Sequence, residues 1–303
     1  MAQLQKPKYA YYRGEVRPWE GATFHIGSEA VVRGLNVFEG LKGYWQPDMS
    51  MGIVAVPRHY QRLGRSAKLL HMPFELSLEE FDGALHSLVE SLCVEDQDIW
   101  VRATLYMVEG HWGEDQKTDL VLTAFLTTKK PPSPIHLGVS TWRRASDLML
   151  PARIKTSTNY QIARLAKIEG RARGYPDMIH LNSYDRVAET GGACVLVARD
   201  GRISTPTPRE GALESITVDI LEVLAREMSI PFERRPVERT ELYIADEIAI
   251  TGTLTEVTHV LSVDGNECTG RTELLTALAK RYREAVKGLA PHAAVDLSLR
   301  RYG

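Results

Sequence analysis

This chain has few cysteines and almost no excess of either charge. Its three cysteines, Cys93, Cys194 and Cys268, lie far apart among 303 residues, so they fit neither a disulfide framework nor a cluster of metal-binding thiols. Lysine and arginine total 37 and aspartate and glutamate total 39, a formal net charge of -2. That balance gives no field to draw the chain onto nucleic acid or an anionic membrane. We therefore expect a cytoplasmic protein with reduced thiols, and neither nucleic acid nor a membrane as partner.

Long apolar segments and common catalytic motifs are also missing. The first residues, MAQLQKPKYAYYRG, lack the apolar core of a signal peptide, and no apolar run approaches the length of about 20 residues that spans a membrane. There is no GxGxxG after a predicted strand, no GxxxxGK[ST], no HExxH and no GxSxG. The nine histidines do not cluster at metal-ligand spacings. The sequence thus argues against nicotinamide, P-loop and zinc sites, and we predict no metal.

The remaining composition, 44% hydrophobic and 25% charged, is that of an ordinary globular protein. The segment KKPPSP at 129–134 cannot continue a helix or a central strand, so we predict a small domain at 1–130 and a larger one at 131–303. Strand and helix patterns mix without the regular alternation of a Rossmann fold, which predicts an α+β fold. We expect a strand at 22–25 and a polar connection at 183–192. Ser77 and Glu80 have capping-box spacing at the start of a helix.

Four short segments of the second half carry residues suited to chemistry. They are RIKTSTNY at 153–160, ETGG at 189–192, GALESIT at 211–217 and TGT at 251–253. A lysine before a helix is usually a solvated charge, and a stretch such as ETGG is usually a tight turn. The third segment opens a helix, whose first N–H groups suit a phosphate, and the fourth adds hydroxyl groups. Taken singly, none of the four identifies a function.

Three further segments are VFEGLK at 37–42, RHYQRL at 58–63 and LYIADE at 242–247, and the fourth segment continues as GTLTEV at 252–257. Taken in order, these seven segments are similar to the class IV pyridoxal-phosphate aminotransferases, most of all to the branched-chain amino acid aminotransferase group. The resemblance implies the two-domain fold of that class, which D-amino-acid aminotransferases share, and pyridoxal 5'-phosphate as cofactor. It also implies a homodimer that moves an amino group between an amino acid and a 2-oxo acid, with the loop at 107–113 reaching the neighbour's site.

The same resemblance implies roles for single residues. Lys155 resembles the lysine that bonds the cofactor and moves the proton at the substrate's Cα, so it is the predicted catalytic residue. Glu189 resembles the carboxylate that pairs with the pyridine nitrogen and keeps the ring protonated. The other predicted cofactor-binding residues are Arg62, Ile216, Thr217 and Thr253 at the phosphate, Leu213 against the ring, and Tyr160 beside the 3-hydroxyl oxygen.

The predicted substrate pocket departs from the branched-chain pattern. Arg33 stands where those enzymes have a tyrosine, four residues before the VFEG segment, and Trp100 replaces a second tyrosine. Arg102 is retained at the position that binds a substrate carboxylate. Because two arginines would need anions, we expect a carboxylate-bearing substrate and poorer handling of leucine, isoleucine and valine. The full predicted substrate-binding set is Arg33, Phe38, Trp100, Arg102, Thr253 and Leu254.

Three other functions stay open. A D-amino-acid or (R)-amine aminotransferase of the same fold is the strongest rival, because some members of those groups place an arginine at the position of Arg33. An aminodeoxychorismate-type lyase fits less well, since the VFEG segment and Arg102 argue against it. A non-catalytic binding protein would be favoured if Lys155 or Glu189 were missing, and both are present. We interpret the neighbouring arginines at 143 and 144 as solvated surface charges.

Overall fold

Strands and helices follow one another irregularly along the chain, and the predicted α+β fold is confirmed. The computed structural model describes residues 6–270 and 273–302. Its strands are β1 (Tyr9–Tyr12), β2 (Glu15–Pro18), β3 (Asn36–Trp45), β4 (Met51–Val54), β5 (Asp98–Glu109), β6 (Lys117–Thr127), β7 (Ile135–Arg143), β8 (Asp177–Leu181), β9 (Val187–Thr190), β10 (Cys194–Arg199), β11 (Arg202–Thr205), β12 (Phe232–Arg234), β13 (Glu247–Gly252), β14 (Glu256–Val263), β15 (Asn266–Glu267) and β16 (Leu297–Arg300). Its α-helices are α1 (Glu29–Val32), α2 (Val56–Leu69), α3 (Leu78–Leu92), α4 (Tyr160–Ala172), α5 (Ile216–Glu227) and α6 (Leu274–Val286).

The chain divides into two compact units. The first contains the residues up to Lys130, the segment Ile154–Thr158 and the residues from Ala285 on, and the second contains Pro131–Arg153 and Asn159–Glu284. The first change of unit falls within the KKPPSP segment. Two later segments return to the first unit, whereas the sequence predicts a single block from 131 to the end. Both returns are made by main-chain hydrogen bonds, from Phe38 to Lys155 and between β4 and β16.

The first unit is built on a seven-stranded antiparallel sheet in the order β16-β4-β3-β5-β6-β1-β2. Alternate residues of its strands pack with α2 and α3 in one apolar core, which includes Leu41, Leu63, Phe81 and Ile99. The capping box of α3 is confirmed: Ser77 Oγ accepts the N–H of Glu80, and a Glu80 carboxylate oxygen accepts the N–H of Ser77. The predicted strand at 22–25 is wrong, because a tight turn after β1 leads directly into β2 at Glu15–Pro18.

The second unit contains a nine-stranded sheet in the order β12-β11-β10-β13-β14-β7-β8-β9, with β15 added to β14. Strand β9 also pairs with β10 through Glu189 and Cys194, so the strands from β10 to β9 close into a ring. The ring encloses apolar side chains of several strands, among them Val139, Ile179 and Val195. The expected polar connection at 183–192 thus contains β9, a buried strand that pairs with β8 on one side and β10 on the other.

Within residues 6–270 and 273–302, no helix combines the length and the apolar character needed to cross a membrane.

Candidate active site

Lys155 is held in place through its main chain. Its N–H donates to Ser66 Oγ of α2 at 3.1 Å, and its carbonyl oxygen accepts the N–H of Phe38 at 2.8 Å. The preceding Ile154 is buried in the core of the first unit. The lysine side chain is half-buried, and Nζ lies 5.0 Å from the centre of the Phe38 ring. A helix and a strand of the first unit therefore fix the point from which this amine extends.

The ring of Phe38 also contacts Arg102. The two residues are on neighbouring strands, with Phe38 opposite Thr104 and Gly40 opposite Arg102, so both side chains emerge on one face of the sheet. The Arg102 guanidinium carbon lies 3.6 Å from the centre of the Phe38 ring, a cation–π contact. Its nitrogens also donate to Thr104 Oγ1 at 3.2 Å and to Ser157 Oγ at 3.1 Å. The structure thus brings Lys155 and Arg102 to the ring of Phe38, and all three residues are predicted from sequence.

Trp100 is on the same face of β5 as Arg102. Its ring stacks on Phe125 of β6 at a centroid distance of 5.9 Å and an angle of 19°. A Cβ atom at position 40 would lie only 3.1 Å from Trp100 Nε1, so the glycine in VFEG leaves room for the indole. The bulk of Trp100 is therefore accommodated across β3 as well as against Phe125.

The opposite face of β3 carries Glu39, which is buried with two residues of α2. Arg62 donates from Nε to Oε1 at 2.7 Å and from Nη2 to Oε2 at 2.6 Å, and His59 Nδ1 lies 2.7 Å from Oε2. Burial raises the pKa of Glu39, but Arg62 and the hydrogen bond with His59 outweigh burial and hold that pKa at about 2. Burial also lowers the pKa of His59. At neutral pH, Glu39 and Arg62 thus form an ion pair beside a neutral His59 imidazole. If Arg62 binds a phosphate, it would do so while still paired with Glu39.

Arg33 has different neighbours. It ends the short helix α1, where Nη1 donates to both carboxylate oxygens of Glu29 at 2.7 Å. Its guanidinium carbon also lies 5.0 Å from the centre of the Trp112 ring. Trp112 lies in the turn between β5 and β6 and is 80% exposed. Arg33 is thus a partly exposed cation paired with a carboxylate of its own helix and capped by an aromatic ring.

In the second unit, Glu189 stands at the closure of the strand ring. Its Oε1 lies 3.0 Å from Nη2 of Arg144, and its Oε2 accepts the N–H of Leu213 at 3.0 Å. Arg144 also donates from Nε to the carbonyl oxygen of Gly211 and from Nη1 to that of Asn159. The interpretation of both neighbouring arginines as surface charges is therefore wrong for Arg144, which is buried, and it holds only for Arg143, whose side chain is 46% exposed.

The predicted phosphate residues of this unit lie at the start of α5 and in a turn. Ser215 caps α5 by accepting the N–H of Val218 at 3.2 Å, while Ile216 and Thr217 supply the first N–H groups, which have no acceptor within the helix. Both are buried. Thr253 and Leu254 lie in the turn from β13 to β14, where Thr253 is half-buried and Leu254 is exposed. Tyr160 is the first residue of α4.

Several residues of these surroundings are missed by sequence reasoning. Glu39, His59 and Arg144 form buried ion pairs or hydrogen bonds, and Ser66 and Ser157 hold Lys155 and Arg102. Glu39 belongs to the VFEG segment and Ser66 follows the RHYQRL segment, so their places in the chain were a usable signal. Nothing local marks Arg144, because its acceptors come from three distant segments.

The chain is similar to known proteins over most of its length. The amino-transferase class IV family matches residues 36–263. The chain belongs to this family. A probable branched-chain-amino-acid aminotransferase of Aquifex aeolicus (strain VF5) is 32% identical to this class IV aminotransferase over 300 residues, covering 92% of this chain and 93% of that protein.

Solved structures show the same likeness. The branched-chain amino acid aminotransferase from Thermobaculum terrenum in its PLP form superposes with a TM-score of 0.90 at 32% identity, covering 97% of this chain and 99% of that one. The branched-chain aminotransferase from the thermophilic archaeon Thermoproteus uzoniensis, solved with norvaline, gives 0.89 at 27% identity, with coverage of 96% and 98%. This class IV aminotransferase therefore has the two-domain fold of its class, as predicted.

Proposed function

We propose that this class IV aminotransferase uses pyridoxal 5'-phosphate to move an amino group between an amino acid and a 2-oxo acid. The observation that carries the proposal is Lys155, a half-buried amine fixed by two main-chain hydrogen bonds beside Phe38 and Arg102. A lysine that serves as nucleophile and proton carrier must be placed reproducibly, which an anchored main chain achieves.

The donors and acceptors of the chain fit this cofactor. The capped start of α5 offers N–H groups of Ile216 and Thr217 to a phosphate, and Thr253 offers a hydroxyl group. Glu189 is a buried carboxylate with one protein donor at each oxygen, so it retains lone pairs for a ring N–H. Leu213 and Tyr160 would contact the ring, and Arg62 would reach the phosphate. When bound, the cofactor draws electrons away from the substrate's Cα.

The chain's own residues would then do three things. Lys155 would hold the proton that leaves and returns at the substrate's Cα, because its Nζ is an amine at the end of a flexible side chain. Glu189 would keep the ring nitrogen protonated. Arg102, already oriented by Thr104 and Ser157, would bind the substrate carboxylate with its planar group of donors.

The role of Lys155 can be tested by borohydride reduction of the protein with cofactor, followed by peptide mapping. We expect the label on Lys155, and we expect Lys155→Ala to lower the rate of amino transfer by several orders of magnitude. Lys68→Ala removes an exposed lysine of α2 and is the matched control, which should keep the wild-type rate. A label on any other lysine would refute the assignment.

The substrate we propose carries a second carboxylate, as glutamate and 2-oxoglutarate do. In the structure Arg33 donates to Glu29, so its charge already has a counter-ion. The proposal therefore requires a substrate carboxylate to replace Glu29, and the 34% exposure of the Arg33 side chain supports such an exchange. One arginine would take the α-carboxylate and the other the side-chain carboxylate. The alternative is that Arg33 takes the α-carboxylate and presents the opposite face of a D-amino acid or (R)-amine. A panel of L- and D-amino donors with 2-oxoglutarate or pyruvate separates the two.

We further propose a cytoplasmic homodimer, in which the turn between β5 and β6 reaches the neighbour's site. The exposure of Trp112 in that turn supports a contact with a second copy. Sedimentation of the active enzyme tests this, and an active monomer would contradict it.

A further inference from the structure

Arg144 joins three separate segments of the second unit. It lies just after β7, and its side chain is only 8% exposed. Nη2 lies 3.0 Å from Glu189 Oε1, Nε donates to the carbonyl oxygen of Gly211 at 3.2 Å, and Nη1 donates to that of Asn159 at 3.3 Å. Each nitrogen of the guanidinium thus reaches a different part of the chain.

The three acceptors adjoin three predicted ring contacts. Asn159 immediately precedes Tyr160, Glu189 is itself a ring contact, and Gly211 lies two residues before Leu213. We propose that Arg144 is a positioning residue that fixes the three segments contacting the cofactor ring relative to one another. This inference rests on the proposed function for the identity of the cofactor ring. The contacts of Arg144 with Asn159, Glu189 and Gly211, which we call the clamp, are formed by the chain alone.

The arrangement depends on an arginine at 144 and on a glycine at 211. A guanidinium has donors at three nitrogens in one rigid plane, whereas an ammonium is a single point of charge on a flexible stem. The main chain also approaches closely: Gly211 has a φ of +89°, and a Cβ atom there would lie 3.3 Å from Arg144 Cβ. The glycine therefore allows the turn that presents its carbonyl oxygen to Arg144.

Glu189 is also held from its other side. Its Oε2 accepts the N–H of Leu213 at 3.0 Å, so Arg144, Glu189 and the 211–213 segment form a closed ring of contacts. Loss of the guanidinium would release Glu189 Oε1 and the Gly211 carbonyl oxygen together. The Leu213 N–H then reports on the clamp, because its hydrogen bond depends on where Glu189 is held.

The test uses Arg144→Gln and Arg144→Lys, with Arg143→Gln as the control at the neighbouring exposed arginine. In the protein without cofactor, hydrogen exchange at the Leu213 amide should quicken at least tenfold in Arg144→Gln. The dissociation constant for pyridoxal 5'-phosphate should rise about tenfold to a hundredfold, as when a partner behind a ligating group is lost. Arg144→Lys keeps the charge but not the planar group of donors, so it should restore only part of both.

A spectroscopic measurement separates positioning from a purely structural role. With cofactor labelled with 15N in the ring, the nitrogen resonance in Arg144→Gln should move toward that of Glu189→Gln, while Arg143→Gln keeps the wild-type resonance. Wild-type exchange, affinity and resonance in Arg144→Gln would overturn the proposal. If Arg144→Gln does not fold, Arg144→Lys decides, and wild-type affinity there would overturn it equally. A wild-type chain that binds no cofactor would refute the proposed function, yet exchange at Leu213 would still show whether Arg144 holds Glu189.

Discussion

Among residues 6–270 and 273–302, each unit buries one glutamate together with its partner arginine, and the two pairs differ in how completely the protein satisfies the carboxylate. Glu39 is 0% exposed, and α2 supplies donors to both of its oxygens from Arg62 and His59. Glu189 is 8% exposed and receives one nitrogen of Arg144 and one main-chain N–H. We call the Glu39–Arg62 pair closed, because side chains of α2 donate to both of its buried carboxylate oxygens. We call the Glu189–Arg144 pair open, because each Glu189 oxygen has one protein donor and can accept a further hydrogen bond. The same two residue types thus leave the carboxylate satisfied in one unit and able to accept a further hydrogen bond in the other.

A third pair, between Arg33 and Glu29, extends the comparison toward solvent. The Arg33 side chain is 34% exposed. An ion pair that water can reach contributes about 0–1 kcal/mol, whereas one that is buried is costly to break. The three pairs therefore differ in how readily an outside anion or cation could replace a partner.

The largest effect should follow from opening the closed pair. Glu39→Gln keeps the shape but leaves Arg62 buried without its counter-charge, so the free energy of unfolding should fall by about 3–5 kcal/mol. Urea titration followed by circular dichroism measures this. A variant as stable as the wild type would mean that Arg62 finds another partner and that the pair is not closed.

Next comes the open pair, where the expected loss is in rate. Glu189→Gln should slow amino transfer by about 100-fold to 1,000-fold, as when one electrostatic partner of a reacting group is removed. Its unfolding free energy should fall by less than that of Glu39→Gln, because Glu189 is less enclosed. Single-turnover rates and urea titrations of both variants give the comparison. Turnover at the wild-type rate in Glu189→Gln would show that this carboxylate does not act on the ring.

Lowering the pH should remove the contribution of the closed pair to the free energy of unfolding. The pKa of Glu39 is lowered from 4.5 to about 2, which corresponds to about 3 kcal/mol of stability. That stability is fully present above pH 4.5 and is lost as the pH falls toward 2. The lowered pKa of His59 acts in the same direction, because protonation below about pH 6.5 favours the unfolded chain. Between pH 7 and pH 3, the free energy of unfolding should fall more steeply with pH in the wild type than in Glu39→Gln. Parallel curves would contradict this assignment.

The smallest effect concerns the exposed pair. Arg33→Tyr should cost no more than about 1 kcal/mol of stability. It should raise the activity toward branched-chain donors, relative to glutamate, by about tenfold, which corresponds to about 1.4 kcal/mol of differential binding. Competition assays with L-leucine, L-glutamate and D-glutamate measure the ratio. A wild type that already prefers L-leucine, together with an unchanged ratio in Arg33→Tyr, would show that Arg33 does not contact substrate.

The features that sequence predicts well here are local ones. The capping box at Ser77 involves residues three apart, and the α+β pattern follows from short-range periodicity. The burial of Arg144 could not be predicted, because its partners at 159, 189 and 211 become neighbours only when β9 closes against β10. Likewise, Glu39 and Arg62 are 23 residues apart, and neither carries a local sign of the other. Resemblance predicts the positions, but the contacts that hold them depend on the folded chain.

The place of β16 affects how the protein can be synthesised. This strand, Leu297–Arg300, pairs with β4 at one end of the first sheet, although the rest of that sheet comes from residues 9–127. A ribosome therefore releases the whole second unit before the edge of β4 can be covered. During that interval the main-chain groups of β4 are open to pairing with other chains. Shortening the chain before Leu297 would make the interval permanent, so a fusion partner is better attached ahead of β1.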